Sequence, residues 1–483
     1  MISNSFTYLL FLSFFVLFYY KSSSLFKSYL IFISSIIFYG FWRVDFVFLL
    51  LFSVIVDYFC GIKISQTNNK NNRKKYLYLS LITNLGILFF FKYTFFFLEN
   101  INYIFNSKLA LSFNIILPLG ISFYTFQSIS YTIDIYRKKT KPTKNFILFA
   151  NYVIFFPQLT AGPILRSHEI IKQLQRNNKF KIENLINGVK KIILGLFLKL
   201  CLADNLAKSV DYIYSQDHTT FSTWDVLTAS FSYGFQIYFD FAGYSLIAIG
   251  SALLIGLKFP ENFNFPYLSK NPREFWTNWH ITLSSWIRDY IYLPLLKIKS
   301  KHSSTKGLSF NNKTKEKKHY WYVYSLLATW LIMGLWHGAH WSFAIWGIYH
   351  SLLILAWRII HKFYSTNRNI FYDFFSYITF LILIMLSWLP FKTQNVVKTF
   401  DMWSYIFIPD RYLFLSLHEN TYIYLSLLML GVFISKNLYY KFLFIKNEIN
   451  TLQQTFGIVL WSIIIILVFA YMKQSANFIY FQF

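Results

Sequence analysis

Apolar runs recur along nearly the whole chain, broken by short polar stretches rich in lysine. A helix needs about 20 apolar residues to cross the hydrocarbon core of a bilayer. Runs near 6–20, 29–40, 44–62 and 77–98 approach or reach that length. Ile116–Arg137 follows, with Pro118 and Gly120 near its start. Further runs fall at 224–258, 320–357, 371–391, 421–435 and 455–472. The runs are continuous and do not alternate with period two, which argues against a β-barrel. The pattern predicts an all-α polytopic membrane protein with about 11–13 membrane segments.

The polar positions inside this pattern carry the detail. Residues 101–113 read as a mildly amphipathic stretch at the interface, and 195–210 as a shallow helix carrying Lys199 and Asp204. In Asn151–Arg166, Pro157, Gly162 and Pro163 forbid a straight helix. Spacing alone admits either a tightly packed re-entrant segment or an ordinary turn there. Asp240 interrupts the run at 224–258 and calls for a structural partner. The run 320–357 hinges at Gly334, His337 and Gly338. No long polar linker and no internal repeat appears, so residues 1–483 read as one integral-membrane domain. The missing repeat counts against an inverted-repeat transporter.

Composition agrees with the pattern. Hydrophobic residues make up 55% and charged residues 14% of 483, against about 25% charged in ordinary soluble domains. The formal net charge of +26 would point to nucleic acid in a soluble protein. Here the lysines and arginines sit in short loops between apolar runs, which is the positive-inside pattern. That charge sets topology and meets anionic lipid; nucleic acid is not the expected partner. The long basic loop at 297–319 is expected in the cytoplasm. Phe6–Tyr20 lacks a basic leader and a small-residue cleavage site and reads as a retained span. Cys60 and Cys201 both lie in apolar context and support neither a disulfide framework nor a cysteine metal site.

Candidate chemistry concentrates between Asn262 and His350. Read as one helix, Phe275–Leu296 places Trp276, Trp279, Leu283, Trp286 and Tyr290 on one face. Thr277, His280, Ser284 and Arg288 share another, a polar stripe suited to a cavity wall. Arg288 and Asp289 are expected to pair with each other. His337 sits between Trp336 and Gly338, with Gly334 a turn earlier. Small residues there let a backbone or a ligand approach closely. A neutral imidazole in apolar surroundings is a competent general base, and positioned proton transfer is worth about 10²–10⁴-fold in rate. Acyl transfer to a hydroxyl needs such a base, and no Gly-x-Ser-x-Gly elbow offers a nucleophile of the chain's own. One histidine beside tryptophan is ordinarily a hydrogen-bonded core residue; two, with polar side chains gathered near them, point to a site. His280 and His337 are the candidate catalytic residues, with Asn278, Ser284 and Trp336 as candidate substrate-binding residues. His337 and His340 also have a spacing that can share a metal. No carboxylate lies between Gly334 and His350, so no metal is the preferred reading.

Eight segments, in order, resemble the membrane-bound O-acyltransferase (MBOAT) family, in its bacterial AlgI-, PatA- and DltB-like branch. They are NLGILFFFKY (Asn84–Tyr93), Leu117–Arg137, FFPQLTAGPILR (Phe155–Arg166), GLFLKLCLADNLA (Gly195–Ala207) and QIYFDFAGYS (Gln236–Ser245), then FPENFNFPY (Phe259–Tyr267), Glu274–Leu295 and GLWHGAHWSFAIWG (Gly334–Gly347). The resemblance implies a ring of tilted helices around a central tunnel. It implies an O-acetyltransferase that takes its acyl group from a cytoplasmic thioester, acetyl-CoA or an acyl carrier, with no permanently bound cofactor. The acceptor it implies is a cell-envelope glycan, peptidoglycan or an exported polysaccharide such as alginate. A periplasmic SGNH-type partner and a place in the bacterial inner membrane follow from the same likeness. His337 falls on the family's catalytic histidine and His280 on its second site position. Two departures stand out: Leu246 where the family often has Asp, and a longer loop after Leu295 without its glycine pair. The alternative within the family is D-alanyl transfer to teichoic acid. A glycan or lipid transporter is the alternative of another class.

Overall fold

The computed structural model describes residues 3–160, 162–296, 319–363, 370–438 and 451–472. Among these residues there is no β-strand, and the chain is the all-α polytopic membrane protein its pattern predicts. Among the described residues, six helical stretches are long and apolar enough to cross a membrane: Asp45–Gln66, Lys70–Phe105, Thr223–Leu254, Trp341–His361, Asp373–Thr393 and Gln454–Tyr471. Two shorter apolar helices, Phe6–Lys21 and Ser24–Gly40, precede them. The lysine-rich loop 297–319 lies, but for its last residue, outside the described residues.

The chain divides into two compact units. One is built mainly of Met1–Ile192 with Tyr244–Glu261; the other of Ile193–Gly243 with Asn262–Ile479.

In the first unit, side-chain oxygens start the helices. Ser5 accepts from the Tyr8 amide and Asn69 from the amides of Asn71 and Asn72, which satisfies donors a helix N-terminus otherwise leaves bare. Helix Lys70–Phe105 consumes part of the stretch expected to be amphipathic. Asn106, in the left-handed region at φ 47, ends it, and 107–119 is irregular. Asp57 is fully buried and held by the Nδ2 of Asn84 at 2.9 Å and the Oγ of Ser80 at 2.6 Å. Ser80 in turn lies 3.0 Å from the Thr132 hydroxyl, so this polar knot ties Asp45–Gln66, Lys70–Phe105 and Ile121–Tyr136 together.

The Pro/Gly-rich stretch resolves as a packed break. Helix Phe146–Ile154 stops, Phe156–Leu159 makes one turn with Pro157 near its start, and Arg166, in extended conformation, leads into Ser167–Leu174. Its described residues are buried. Gly120 adopts φ 70, and a β-carbon there would stand 2.1 Å from the Leu159 carbonyl oxygen.

The second unit corrects the reading of Lys199. It is a buried side chain in a half-buried π-helical stretch, Phe197–Ala203, between helices Ile182–Leu196 and Asp204–Ser215. Its ammonium lies 2.6 Å from both Asp204 and Asp240. Asp240 thus has its structural partner, and the approach is close because a β-carbon on Gly243 would touch the Gly195 carbonyl at 2.7 Å.

Candidate active site

The segment read as one helix from Phe275 to Leu296 is broken at His280. Helix Pro272–Asn278 ends, His280 takes φ 39, and Ile281–Ile287 starts anew, running into a π-helical turn, Arg288–Tyr292. The two faces drawn on a continuous helix therefore do not exist as such. A non-glycine residue in the left-handed region costs roughly 1–3 kcal/mol and persists where its surroundings hold it. Here the loop before the helix holds it. The Asn264 amide donates to the Asn278 carbonyl at 3.0 Å, and the Ile281 amide donates to the Asn262 carbonyl at 2.9 Å. The loop is bonded to both sides of the break.

Asn262 does more with its side chain. Its Oδ1 accepts from the Thr282 amide at 3.3 Å and the Thr282 hydroxyl at 2.9 Å, and lies 3.0 Å from Nδ1 of His280. A backbone N–H only donates, so the atom facing it is the amide oxygen. An amide oxygen only accepts, so Nδ1 of His280 carries the proton. The neutral ring then carries its lone pair on Nε2. The imidazole is fully buried, edge-on to Phe241 at 4.6 Å and nearly parallel to Phe263 at 6.4 Å between ring centres.

His337 is the last residue of helix His319–His337, and Trp341–Phe363 packs back against it as the second arm of a hairpin. The expected hinge is thus a reversal. Glycines make it tight. A β-carbon on Gly334 would stand 2.1 Å from the Phe343 carbonyl oxygen, and one on Gly347 2.2 Å from that of Trp330. The His337 ring packs on Trp336, Trp346 and Phe391 at 4.8, 5.0 and 5.1 Å. The Trp336 indole also stands 6.4 Å from the His280 ring, so one indole lies in contact range of both histidines. The structure brings His280, Trp336 and His337 together on a floor of Trp279, Trp346, Trp388 and Phe391.

The remaining residues singled out in the sequence are placed differently. Asn278 is half-buried and donates to the Ser269 hydroxyl at 3.2 Å, within the loop. Ser284 donates to the Trp279 carbonyl at 3.2 Å and braces the break. Arg288 and Asp289 pair at 2.9 Å, as expected. Glu274 accepts from the Lys270 amide while Asn271 accepts from the Glu274 amide, a reciprocal helix cap. Nδ1 of His340 accepts from the Ser342 amide at 3.1 Å, which commits that nitrogen to the start of the next helix. Among the described residues, no group of three or more His, Cys, Asp or Glu is placed to hold a metal.

In this polytopic all-α chain, two buried imidazoles, His280 and His337, thus stand against one indole, Trp336. The comparisons make the assignment. Residues 139–311 match MBOAT, the membrane-bound O-acyltransferase family, a match that includes His280 and stops before His337. The chain is 35% identical over 412 residues to the probable alginate O-acetylase AlgI of Azotobacter vinelandii, covering 84% of this chain and 77% of that one. It is 36% identical over 416 residues to the peptidoglycan O-acetyltransferase of Helicobacter pylori, covering 80% and 75%. The teichoic acid D-alanyltransferase of Bacillus subtilis is 30% identical over 256 residues, 52% of this chain and 61% of that one. This protein belongs to the membrane-bound O-acyltransferase family, and it is an acyltransferase enzyme.

Proposed function

We propose that this enzyme moves an acetyl group from a cytoplasmic thioester across the bacterial inner membrane to hydroxyls of a cell-envelope glycan, peptidoglycan or an exported polysaccharide. The observation that carries the reading is the pairing of His280 and His337 across Trp336. In this reading His337 takes the proton from the acceptor hydroxyl as its oxygen attacks the thioester carbonyl. The new C–O bond forms, the C–S bond breaks, and the thiolate leaves with a proton. His280, with Nδ1 donating to Asn262, meets the reactants through the lone pair of Nε2. That favours a share in the proton traffic over donation to the donor carbonyl.

The donor would be acetyl-CoA or an acyl carrier thioester, and a periplasmic SGNH-type protein would take the acyl group onward. The acetyl reading is preferred because relatives named for O-acetylation align over four fifths of this chain, and the D-alanyl relative over about half. The test is to express His337→Ala at wild-type level and measure alkali-released acetate from purified peptidoglycan and from surface polysaccharide. Acetate should fall to the level of a strain lacking the gene. Unchanged acetate removes His337 from the reaction, and loss of ester-linked D-alanine instead of acetate turns the assignment to the D-alanyl branch.

A further inference from the structure

In the second unit two helices stand apart at one end and leave a groove of about 720 Å³. One wall is the start of Thr223–Leu254, where Trp224, Leu227, Thr228 and Phe231 fall at i, i+3, i+4 and i+7 and share a face. The other is the start of helix Glu419–Leu438, where Tyr422, Leu425, Ser426 and Met429 repeat that spacing. The two starts stand level, because Asp225 in one accepts from the Tyr422 hydroxyl in the other. Residues 412–415 line the end nearest Trp224, whose indole donates to the Tyr412 carbonyl at 3.2 Å. Trp224 and Ile423 remain 47% and 58% exposed, so the groove is open along its side.

Length and chemistry together select the occupant. A helix rises about 1.5 Å per residue, so Phe231 lies about 10 Å deeper than Trp224, and Met429 about 15 Å deeper than Glu419. The hydrocarbon of one leaflet is about 15 Å thick, half of a core of about 30 Å. Trp224 and Tyr412, at the mouth, are of the residue types that sit at headgroup level. The groove thus runs the depth of one leaflet. Polar atoms on its walls are turned back into the protein: the Tyr422 hydroxyl donates to Asp225, and the Ser426 hydroxyl donates to the Tyr422 carbonyl at 2.9 Å. A peptide or a sugar laid here would leave its own N–H, C=O or hydroxyl groups unmet at membrane depth. A hydrocarbon chain has no such groups. Among the described lining residues, Glu419 at the mouth is the one charged side chain. Arg411, on the adjoining loop, is engaged elsewhere: its guanidinium donates to the Thr219 and Phe221 carbonyls and stacks 3.7 Å over the Tyr405 ring. The mouth therefore presents a carboxylate, which complements an ammonium.

We propose that this groove is a binding site for a phospholipid whose headgroup carries a primary ammonium, with one acyl chain laid between the two helices and the ammonium against Glu419. The site stands apart from the transfer chemistry, and its test needs no turnover.

The probes are phosphatidylethanolamine and phosphatidylglycerol with matched chains, offered to the delipidated full-length protein in detergent and read by native mass spectrometry. Wild type should retain phosphatidylethanolamine in preference to phosphatidylglycerol by about fivefold, the upper range for an exposed ion pair. Glu419→Gln should keep the lipid and lose the preference. Ser426→Trp, which puts an indole into the groove, should lose the lipid. Equal retention of both lipids by wild type overturns the headgroup assignment. An S426W protein with wild-type retention makes the lipid a general annular one and overturns the site. A cryo-electron-microscopy map of the wild type in nanodiscs of both lipids decides the matter even if S426W fails to fold. Chain-shaped density beside Leu227 and Ile423 supports the site; an empty groove, or one filled by a protein segment or a glycan, overturns it.

Discussion

The amide oxygen of Asn262 receives the Thr282 amide, the Thr282 hydroxyl and Nδ1–H of His280. Removing it leaves buried donors bare, at about 1–3 kcal/mol for each unsatisfied group, and frees the imidazole to exchange tautomers. Asn262→Ala is therefore expected to lower the melting temperature of the detergent-solubilised protein and to cut envelope O-acetyl at least about tenfold, the rate equivalent of ~1.4 kcal/mol. An Asn262→Ala protein with wild-type acetate would show that the tautomer of His280 is irrelevant to turnover. Residue by residue, the sequence was an uneven guide. The two histidines stood out because imidazoles are costly in apolar runs. Asn262 did not, because its partner is 18 positions away across a backbone break. Neither Trp279 nor His280 is a Gly or Pro that announces a left-handed turn. The available signal was the alternation of Asn262 and Asn264 with Phe263 and Phe265, which reads as a loop with polar atoms turned to its own backbone.

At the scale of elements, the hairpin His319–His337 and Trp341–Phe363 fixes where His337 sits. Its helices approach until carbonyl oxygens stand where the β-carbons of Gly334 and Gly347 would be. Gly347→Ala should push the arms apart at a cost of roughly 1–3 kcal/mol, the usual range for overpacking. Gly86 faces open space in helix Lys70–Phe105. Gly86→Ala should therefore gain about 0.5–1 kcal/mol from helix propensity. Melting temperatures from fluorescence-detected size exclusion should move in opposite directions, and a shared direction would refute the close-approach argument. Gly334 was legible as a point of close approach, since a missing side chain lets a backbone come near; Gly347 was not. The reversal was not legible, because an apolar run broken by Gly and His reads the same whether it kinks or turns back. The continuous stripe on Phe275–Leu296 failed for a related reason: helical periodicity presumes an unbroken helix, and the tether to Asn262 breaks it.

For the whole molecule, apolar run length was enough to establish the membrane class, and ordered motifs were enough to establish the family. The placement of charges was only partly readable. Asp240 announced a cost, but its partner Lys199 lies in another element, and Asp57, held by Asn84 and Ser80 from another helix, passed unremarked. Helix Lys70–Phe105 has a consequence of a different kind. At 36 residues it is about 54 Å long, against a hydrocarbon core of about 30 Å. Only 11% of its apolar window is buried, so lipid is its main neighbour. Its first turns carry Lys70, Arg73, Lys74 and Lys75, which belong in the headgroups. The apolar remainder adapts to a thinner or thicker bilayer by tilting, at fractions of a kcal/mol per Å of mismatch. Ser80 and Asn84, in its first half, are joined through the Asp57 knot to neighbouring helices, so a tilt is shared by the first unit. Reconstituted in vesicles of short-, medium- and long-chain phosphatidylcholine, the enzyme should show a thermal stability that peaks at intermediate thickness, and a flat profile would remove the coupling. Bilayer thickness then becomes a variable to which this protein responds, alongside the concentrations of its substrates.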